Sequence, residues 1–299
     1  MSTSTPAIAM PQERRTDAAL YRRRRLVNLL GWTLFGLFFA LLAFALLDIV
    51  GTVLERGWPA LSLELFTQST NGVSGGLLNA ITGTFALTAG SLILAAPVGV
   101  FAGIYVSEYR SSPFARLIRY LSDVMVGVPS IVFGLFGYIT MVTWLGWQFS
   151  MLAGCITLAL MIIPYILRTT ELALHGVAPE LREAAYALGA GHATVVMKVI
   201  LRSCFSRVLT GILLAMAISM GETAPLIYTV NWSNYVWDGH MTREPVGYLT
   251  YVIWSFINEP FDSAHALAYA AALLITVFVL VITMFARLSL SKLSSNQAH

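Results

Sequence analysis

The sequence predicts an all-α polytopic membrane protein with six transmembrane helices and with both termini in the cytoplasm. Three observations carry this prediction: an apolar composition, long stretches without charged residues, and basic residues gathered on alternate loops. The 299 residues have a mean hydropathy of +0.74 and 11% of them are charged, against about a quarter in a soluble domain. This composition excludes a soluble enzyme or a soluble nucleic-acid-binding module as the whole chain.

Stretches without Asp, Glu, Lys or Arg predict where the spans lie. A span needs roughly 20 apolar residues, so the longest stretch, 124–167, holds two helices with a turn at 144–148. A fifth span is predicted over about 206–230 and contains one acid, Glu222. The other charge-free stretches are 26–47, 79–106 and 263–286.

The basic residues set the orientation. All Lys and Arg residues except Arg56 and Arg243 fall in the N-terminal tail, the second–third loop, the fourth–fifth loop and the C-terminal region. With six spans, all these segments lie on the same side of the membrane. Because Lys and Arg are enriched in cytoplasmic loops, both termini are predicted to be cytoplasmic.

The domain organisation follows from this topology. The predicted segments are a disordered, basic cytoplasmic tail (1–25), the first transmembrane helix (26–50), a periplasmic loop (51–78), a helical core (79–290) and a cytoplasmic tail (291–299). A second periplasmic loop, 231–262, lies within the core region and is rich in aromatic residues. Such residues fit either an aromatic belt at the membrane boundary or a docking surface.

A short amphipathic helix is predicted over about 179–189, in the cytoplasmic loop between spans four and five. Pro179 suits its first turn and Gly189 its end. Apolar residues at i, i+3, i+4 and i+7 form one stripe on this helix. The stripe consists of Leu181, Ala184, Ala185 and Leu188. Arg182 and Glu183 occupy other faces. The pattern fits docking in a partner's groove, and it also fits a helix that rests on the bilayer surface.

The stretch EAAYALG, followed after nine intervening residues by VIL, resembles the EAA loop of binding-protein-dependent ABC importers. Glu183, Ala184, Ala185 and Gly189 match this motif, whereas Arg202 replaces the proline that ends it. The resemblance implies a type I ABC importer permease fold whose coupling helix sits in a cleft of a separate ATPase subunit. The coupling helix so implied comprises Leu181, Arg182, Glu183, Ala184, Ala185, Leu188 and Gly189.

ATP binding is not expected in this chain. The sequence has no Gly-Lys dipeptide and therefore no GxxxxGK[ST] phosphate-binding loop. The resemblance implies instead that ATP and Mg are bound by the partner ATPase subunit. We accordingly expect no cofactor in this chain and no enzymatic activity of its own.

Three further stretches, GETAPLIYTV, IPYILRTTE and AGIYVSEY, resemble the A-type permease family of bacterial phosphate-specific uptake systems. The resemblance implies transport of inorganic phosphate across the bacterial cytoplasmic (inner) membrane. The partners it implies are a homologous C-type permease subunit, an ABC ATPase dimer and a periplasmic phosphate-binding protein. The N-terminal arginines are expected to contact anionic membrane lipid, and no nucleic acid is expected as a partner.

Glu222 is a candidate for the translocation pathway, because an acid among the apolar residues of a span is costly and usually functional. A carboxylate would repel a phosphate dianion unless it is protonated or paired with a base. Ile218 stands where some members of the resembling family carry an arginine. We therefore expect Glu222 to pair with an arginine of the partner permease, or with Ser219 and Thr223. The structural alternative is a hydrogen-bonded acid at a helix bend before Pro225.

Arg168 and Ser130 are the remaining pathway candidates. Arg168 forms an i, i+3 pair with Glu171 and fits either a contact with a departing anion or an anchor that snorkels to the headgroups. Ser130 shares a helix face with Gly134 and Gly137, and such small residues permit close helix packing. Carbonyl groups freed by the preceding proline would line a pathway or pack within the protein.

The residues alone leave other functions open. These are another cargo, such as molybdate, sulfate or an amino acid, an ion-coupled secondary transporter with Glu222 as its proton site, and a non-transporting membrane scaffold. The five histidines show no HxxxH or HExxH spacing, and neither Cys155 nor Cys204 lies near one. We therefore predict no metal site and two buried free thiols.

Overall fold

The computed structural model describes residues 13–296, and the side chains of residues 20–287. The α-helices are α1 (Glu13–Gly57), α2 (Leu63–Thr67), α3 (Leu78–Glu108), α4 (Pro113–Gly127), α5 (Ser130–Gly137), α6 (Met151–His175), α7 (Pro179–Ala187), α8 (His192–Thr194), α9 (Leu201–Gly221), α10 (Ala224–Thr229), α11 (Leu249–Phe256) and α12 (Asp262–Asn296). A 3₁₀ turn covers Trp58–Ala60, and π-helices cover Tyr138–Trp144 and Val195–Ile200. Strands β1 (Thr70–Asn71) and β2 (Ser74–Gly75) form an antiparallel hairpin.

The described residues give five or six candidate spans, against the six predicted. Five helical segments are long and apolar enough to cross a membrane: α1, α3, α6, the continuous helix His192–Gly221 and α12. A sixth candidate is broken, because α4 and the segment Ser130–Trp144 meet at an angle of 101°. Pro129 lies at this break and has no N–H for the helical ladder. The described residues therefore contain up to six spans, the third of them bent.

The first helix is longer than predicted. It begins at Glu13, so residues 13–25, which the sequence predicts as disordered, are helical, whereas residues 1–12 and 297–299 lie outside the described part of the chain. The described residues up to Thr52 form one compact unit, and those from Val53 onward form a second. Within the first unit the large apolar side chains, such as Leu30 and Phe39, are exposed. Such exposure is expected of a helix whose surroundings are lipid or other membrane helices.

The core of the second unit is built on the close approach of α3 and α6. A Cβ atom at Gly99 would lie 2.7 Å from the Cβ atom of Ile166, and one at Gly103 would lie 2.7 Å from that of Thr170. Any larger residue at these glycines would separate the two helices. Both cysteines are free and buried, as predicted.

The limits predicted for the fifth span, 206–230, are wrong. The helix begins at His192, and it runs through a π-helical segment to Gly221. Its basic residues near the inner end do not interrupt the helical ladder. The helix ends early because Glu222 has an extended backbone (φ −74°, ψ 134°). The chain then starts α10, which has Pro225 in its first turn, where proline is tolerated.

Candidate functional site

The short helix predicted over about 179–189 is present as α7. Pro179 opens the helix, and the predicted last two positions, Leu188 and Gly189, form its C-terminal turn. Gly189 has a φ of +79°, a conformation that glycine adopts without steric cost. Its N–H donates to the carbonyl of Tyr186 at 2.9 Å, and the N–H of Ala190 donates to that of Ala185 at 3.2 Å. These bonds end the helix in the usual glycine-containing way.

The apolar stripe of α7 does not form one buried face. Ala185 alone among its members is buried, in a cluster with Val195 and Val196 from the start of the fifth span. Leu181 is 41% exposed and Leu188 is 88% exposed. Glu183 and Ala184 are exposed as well. One side of α7 therefore packs on this chain and the other presents leucine side chains to its surroundings.

Four residues, here called the inner clamp, hold α7 against its own chain: Glu108, Arg182, Tyr186 and His192. Arg182 donates Nη1 and Nη2 to the two carboxylate oxygens of Glu108 at 2.5 and 2.7 Å. Its hydrogen bond with Glu108 raises the pKa of Arg182 above the ordinary value. The Tyr186 hydroxyl lies 2.7 Å from His192 Nδ1, and His192 Nε2 lies 3.9 Å from Glu108 Oε2. The clamp thus joins α3, α7 and α8.

Glu222 sits at the break between α9 and α10 and is half-buried. Its N–H donates to the Ser219 carbonyl at 3.3 Å, and its own carbonyl accepts from the Thr250 hydroxyl at 2.8 Å. The Ser130 side chain lies near its carboxylate. Two residues that the sequence singles out separately, Ser130 and Glu222, are thereby brought together. Over the described residues, Glu222 forms no ion pair.

The predicted pairing of Glu222 with Ser219 and Thr223 differs from the structure. The Ser219 hydroxyl is buried and lies 3.0 Å from that of Ser91 on α3, because its position on α9 faces the core. Thr223 is half-buried in the break itself. The small residues of α5 also pack within the chain: a Cβ atom at Gly134 would lie 2.6 Å from the Cα atom of Pro225. The α5 helix therefore supports the break from one side.

Arg168 belongs to a three-residue cluster at the end of α6. The Glu171 carboxylate accepts from Arg168 Nη1 at 2.9 Å through one oxygen, and from Arg119 Nη2 at 2.8 Å and Nε at 3.2 Å through the other. The side chain of Glu171 is buried, whereas that of Arg168 is 50% exposed. Sequence reasoning used Arg119 only for topology and missed its contact with Glu171, since the two residues lie on different helices, 52 positions apart.

The second predicted periplasmic loop, 231–262, here called the outer loop, contains a cluster of metal-ligand residue types that the histidine spacing rules missed. Ligand atoms of Asp238, His240 and Glu244 all lie within 4.8 Å of one another, and all three residues are exposed. His240 Nδ1 lies 2.7 Å from Asp238 Oδ2, so the imidazole already contacts the carboxylate. Hydrogen bonds from His240 lower the pKa of Asp238, and Asp238 raises the pKa of His240. The short i, i+2, i+6 spacing is the sequence signal for this group.

Up to six candidate membrane spans, a short helix with exposed leucines between two of them and a polar break after the fifth span are features expected of a membrane transport subunit. The family of binding-protein-dependent transport system inner membrane components matches residues 95–295, and the chain belongs to this family. Membership implies partnership with ATPase and permease subunits. The chain is thus a multi-pass permease component of an ABC importer.

Relatives that match this chain over most of their length are phosphate transport system permeases. The phosphate transport system permease protein PstA 2 of Mycobacterium bovis is 40% identical over 287 residues, covering 96% of this chain and 94% of that protein. The PstA proteins of Haemophilus influenzae and Yersinia pestis are 44% and 39% identical, over 80% and 96% of this chain and 85% and 96% of their own lengths.

Solved structures confirm the predicted fold class. A chain of the MetNI methionine ABC transporter, in an inward-facing conformation, superposes with a TM-score of 0.61 at 17% identity, covering 72% of this chain and 95% of that one. At this identity the likeness concerns the fold alone.

Proposed function

We propose that this chain is one half of the membrane pathway of an ATP-driven importer of inorganic phosphate. The observation that carries the proposal is the full-length similarity to phosphate transport system permeases at about two-fifths identity. The exposed leucines of α7 support the division of labour, because they offer an apolar surface for an ATPase partner. ATP and Mg would be bound by that ATPase, and this chain would hydrolyse nothing.

In the mechanism we propose, the ATPase dimer closes on ATP and moves α7. The motion passes through the packing of Ala185 on Val195 and Val196 into the fifth span, and it switches access between the two sides of the membrane. A homologous C-type permease would supply the other half of the pathway. A periplasmic phosphate-binding protein would deliver the ion to the outer loops.

The break at Glu222 is the proposed point of contact with the pathway. A carboxylate there would repel phosphate, so its charge must be balanced while the ion passes. The nearby Ser130 hydroxyl carries no charge that could do this. We infer that a basic side chain of the partner permease supplies the rest. Arg168 would meet the anion at the inner end, where half of its side chain remains exposed beside Glu171.

Uptake of labelled phosphate tests the cargo. A strain lacking this chain is complemented with the wild-type protein, and uptake is measured with phosphate, sulfate and molybdate as competitors. Restored uptake that only excess phosphate suppresses supports the proposal. Suppression by sulfate or molybdate at equal concentration would identify that oxyanion as the cargo.

Copurification tests the partnership at α7. Replacing Leu188 by Ala removes an exposed apolar side chain worth about 1–2 kcal/mol when buried, and should weaken retention of the ATPase. Leu172→Ala is the matched control, because Leu172 is also exposed, at 59%, but lies on α6. Equal retention in both variants would exclude α7 as the docking helix.

A further inference from the structure

We propose that the inner clamp makes the inner end of α3 move together with α7, so that Glu108 and Arg182 are positioning residues for transport. The inference rests on the proposed importer function and adds to it a second route for the motion. The first route is the chain itself, which leads from α7 into the fifth span. The second route is a pair of hydrogen bonds to a helix that lies some seventy residues earlier in the sequence.

The geometry of the pair fixes orientation as well as distance. Glu108 is the last residue of α3, and Arg182 lies near the middle of α7. The two guanidinium nitrogens each contact a different carboxylate oxygen, at 2.5 and 2.7 Å. Two parallel bonds of this kind resist both separation and rotation, whereas a single bond to a lysine allows rotation. The end of α3 is therefore held to α7 in one relative orientation.

Burial makes separation of the pair unfavourable. The Glu108 side chain is only 3% exposed, and that of Arg182 is 35% exposed. If α7 moved alone, Glu108 would remain buried without its bidentate partner, and an uncompensated buried charge is strongly destabilising. Displacing the end of α3 together with α7 avoids that cost. The physical expectation is joint movement.

His192 extends the clamp to the start of the fifth span. Its ring stacks parallel to that of Tyr186, at an interplanar angle of 2°, and its Nδ1 contacts the Tyr186 hydroxyl. The other ring nitrogen faces Glu108. The neighbouring groups from the packed elements are Tyr109, whose ring meets the His192 ring edge-on, and Arg182. The end of α3, α7 and the start of the fifth span thus share one contact group.

The test uses the whole transporter, reconstituted with its partners in proteoliposomes, and measures phosphate imported per ATP hydrolysed. Allosteric coupling energies typically correspond to about 5- to 150-fold effects, so Glu108→Gln should lower this ratio at least about fivefold. Arg182→Gln should do the same, and the double variant should be no worse than either single variant. Arg110→Gln is the matched control, since it removes an exposed charge just beyond α3 and should leave the ratio unchanged.

A second readout does not depend on the cargo. Spin labels on Arg110→Cys and Ala187→Cys report the distance between the end of α3 and the end of α7, with both native cysteines buried. The distance should stay constant on addition of ATP, and it should change in the Glu108→Gln background. If the wild-type complex imports no phosphate, the proposed function fails, and this distance still decides whether the clamp acts.

Several results would overturn the clamp proposal. One is an unchanged transport ratio in Glu108→Gln, and another is an equal loss in Arg110→Gln. Additive losses in the double variant would show that the two residues act independently. Loss of the ATPase from the Glu108→Gln complex would assign the pair to docking rather than to transmission.

Discussion

The inner end of this chain and the break at Glu222 hold their carboxylates in different ways. At the inner end, Glu108 and Glu171 each accept two or more hydrogen bonds from arginine side chains. Glu222 lies near the Ser130 side chain instead and forms no ion pair over the described residues. Charge-assisted, bidentate bonds are stronger and more directional than a bond to a hydroxyl. The difference indicates a rigid inner end that transmits motion and an adjustable break whose acid can exchange partners.

The largest effect is expected at the break. Glu222→Gln keeps the shape and removes the charge, so a charge-assisted hydrogen bond formed during transport is lost. Such bonds contribute about 2 kcal/mol, which corresponds to about a 30-fold reduction in phosphate uptake. Assembly should be preserved, as judged by copurification of the ATPase. Uptake at the wild-type rate would mean that the charge of Glu222 is irrelevant. The break and the inner end would then differ only in how their residues pack.

The next effect concerns the support of the break. Gly134→Ala places a methyl group against Pro225, where the distance from its Cβ atom to the proline Cα atom would be 2.6 Å. Overpacking of this kind costs about 1–3 kcal/mol, so both melting temperature and uptake should fall. Gly127→Ala is the control, because a Cβ atom there meets nothing within 4 Å. Equal melting temperatures for the two variants would contradict the packing of α5 on α10.

A smaller effect is expected at the inner end. Glu171→Gln weakens the hydrogen bonds to Arg119 and Arg168, whose side chains are 28% and 50% exposed. Glu171 is buried, but water can solvate the two partly exposed arginines once the carboxylate is gone. The loss of stability should therefore be about 1 kcal/mol. The melting temperature, measured at low and high salt, checks this. A loss larger than that of Gly134→Ala would reverse the ranking of the two regions.

The smallest effect is expected in the outer loop, and it depends on pH. The folded protein raises the pKa of His240 through Asp238, so the contact contributes fully below the unfolded histidine pKa of about 6.5. That contribution disappears as the pH rises through the higher folded value. The pKa of Asp238 is lowered, so its contribution is lost as the pH falls through that lowered value. The wild type and His240→Ala should differ slightly in melting temperature near pH 6 and converge near pH 9. A constant difference would show that titration of His240 plays no part.

The sequence predicts most of the coupling helix and only part of the break. Pro179, Gly189 and the spacing of the apolar residues are local signals, and local signals determine where a short helix begins and ends. Pro225 predicts a helix break near Glu222. The sequence does not predict that Ser130 lies near Glu222, since Ser130 is on a helix about ninety residues away. The contact of Arg182 with Glu108 joins residues 74 positions apart. Periodicity carries no information about such pairs, because helix packing determines which charges meet.

The π-helical segment Val195–Ile200 lies between α7 and Glu222. A π-helix carries more residues per turn than an α-helix. If one residue of this stretch left the π-helix and joined an α-helical turn, we expect the remainder of the fifth span to rotate about its own axis by roughly 100°. Movement of α7 would then rotate the part of the fifth span within the membrane as well as displace it. Cysteine reactivity at Leu214→Cys, compared with and without nucleotide, measures that swivel, and identical reactivity in the two states would exclude it.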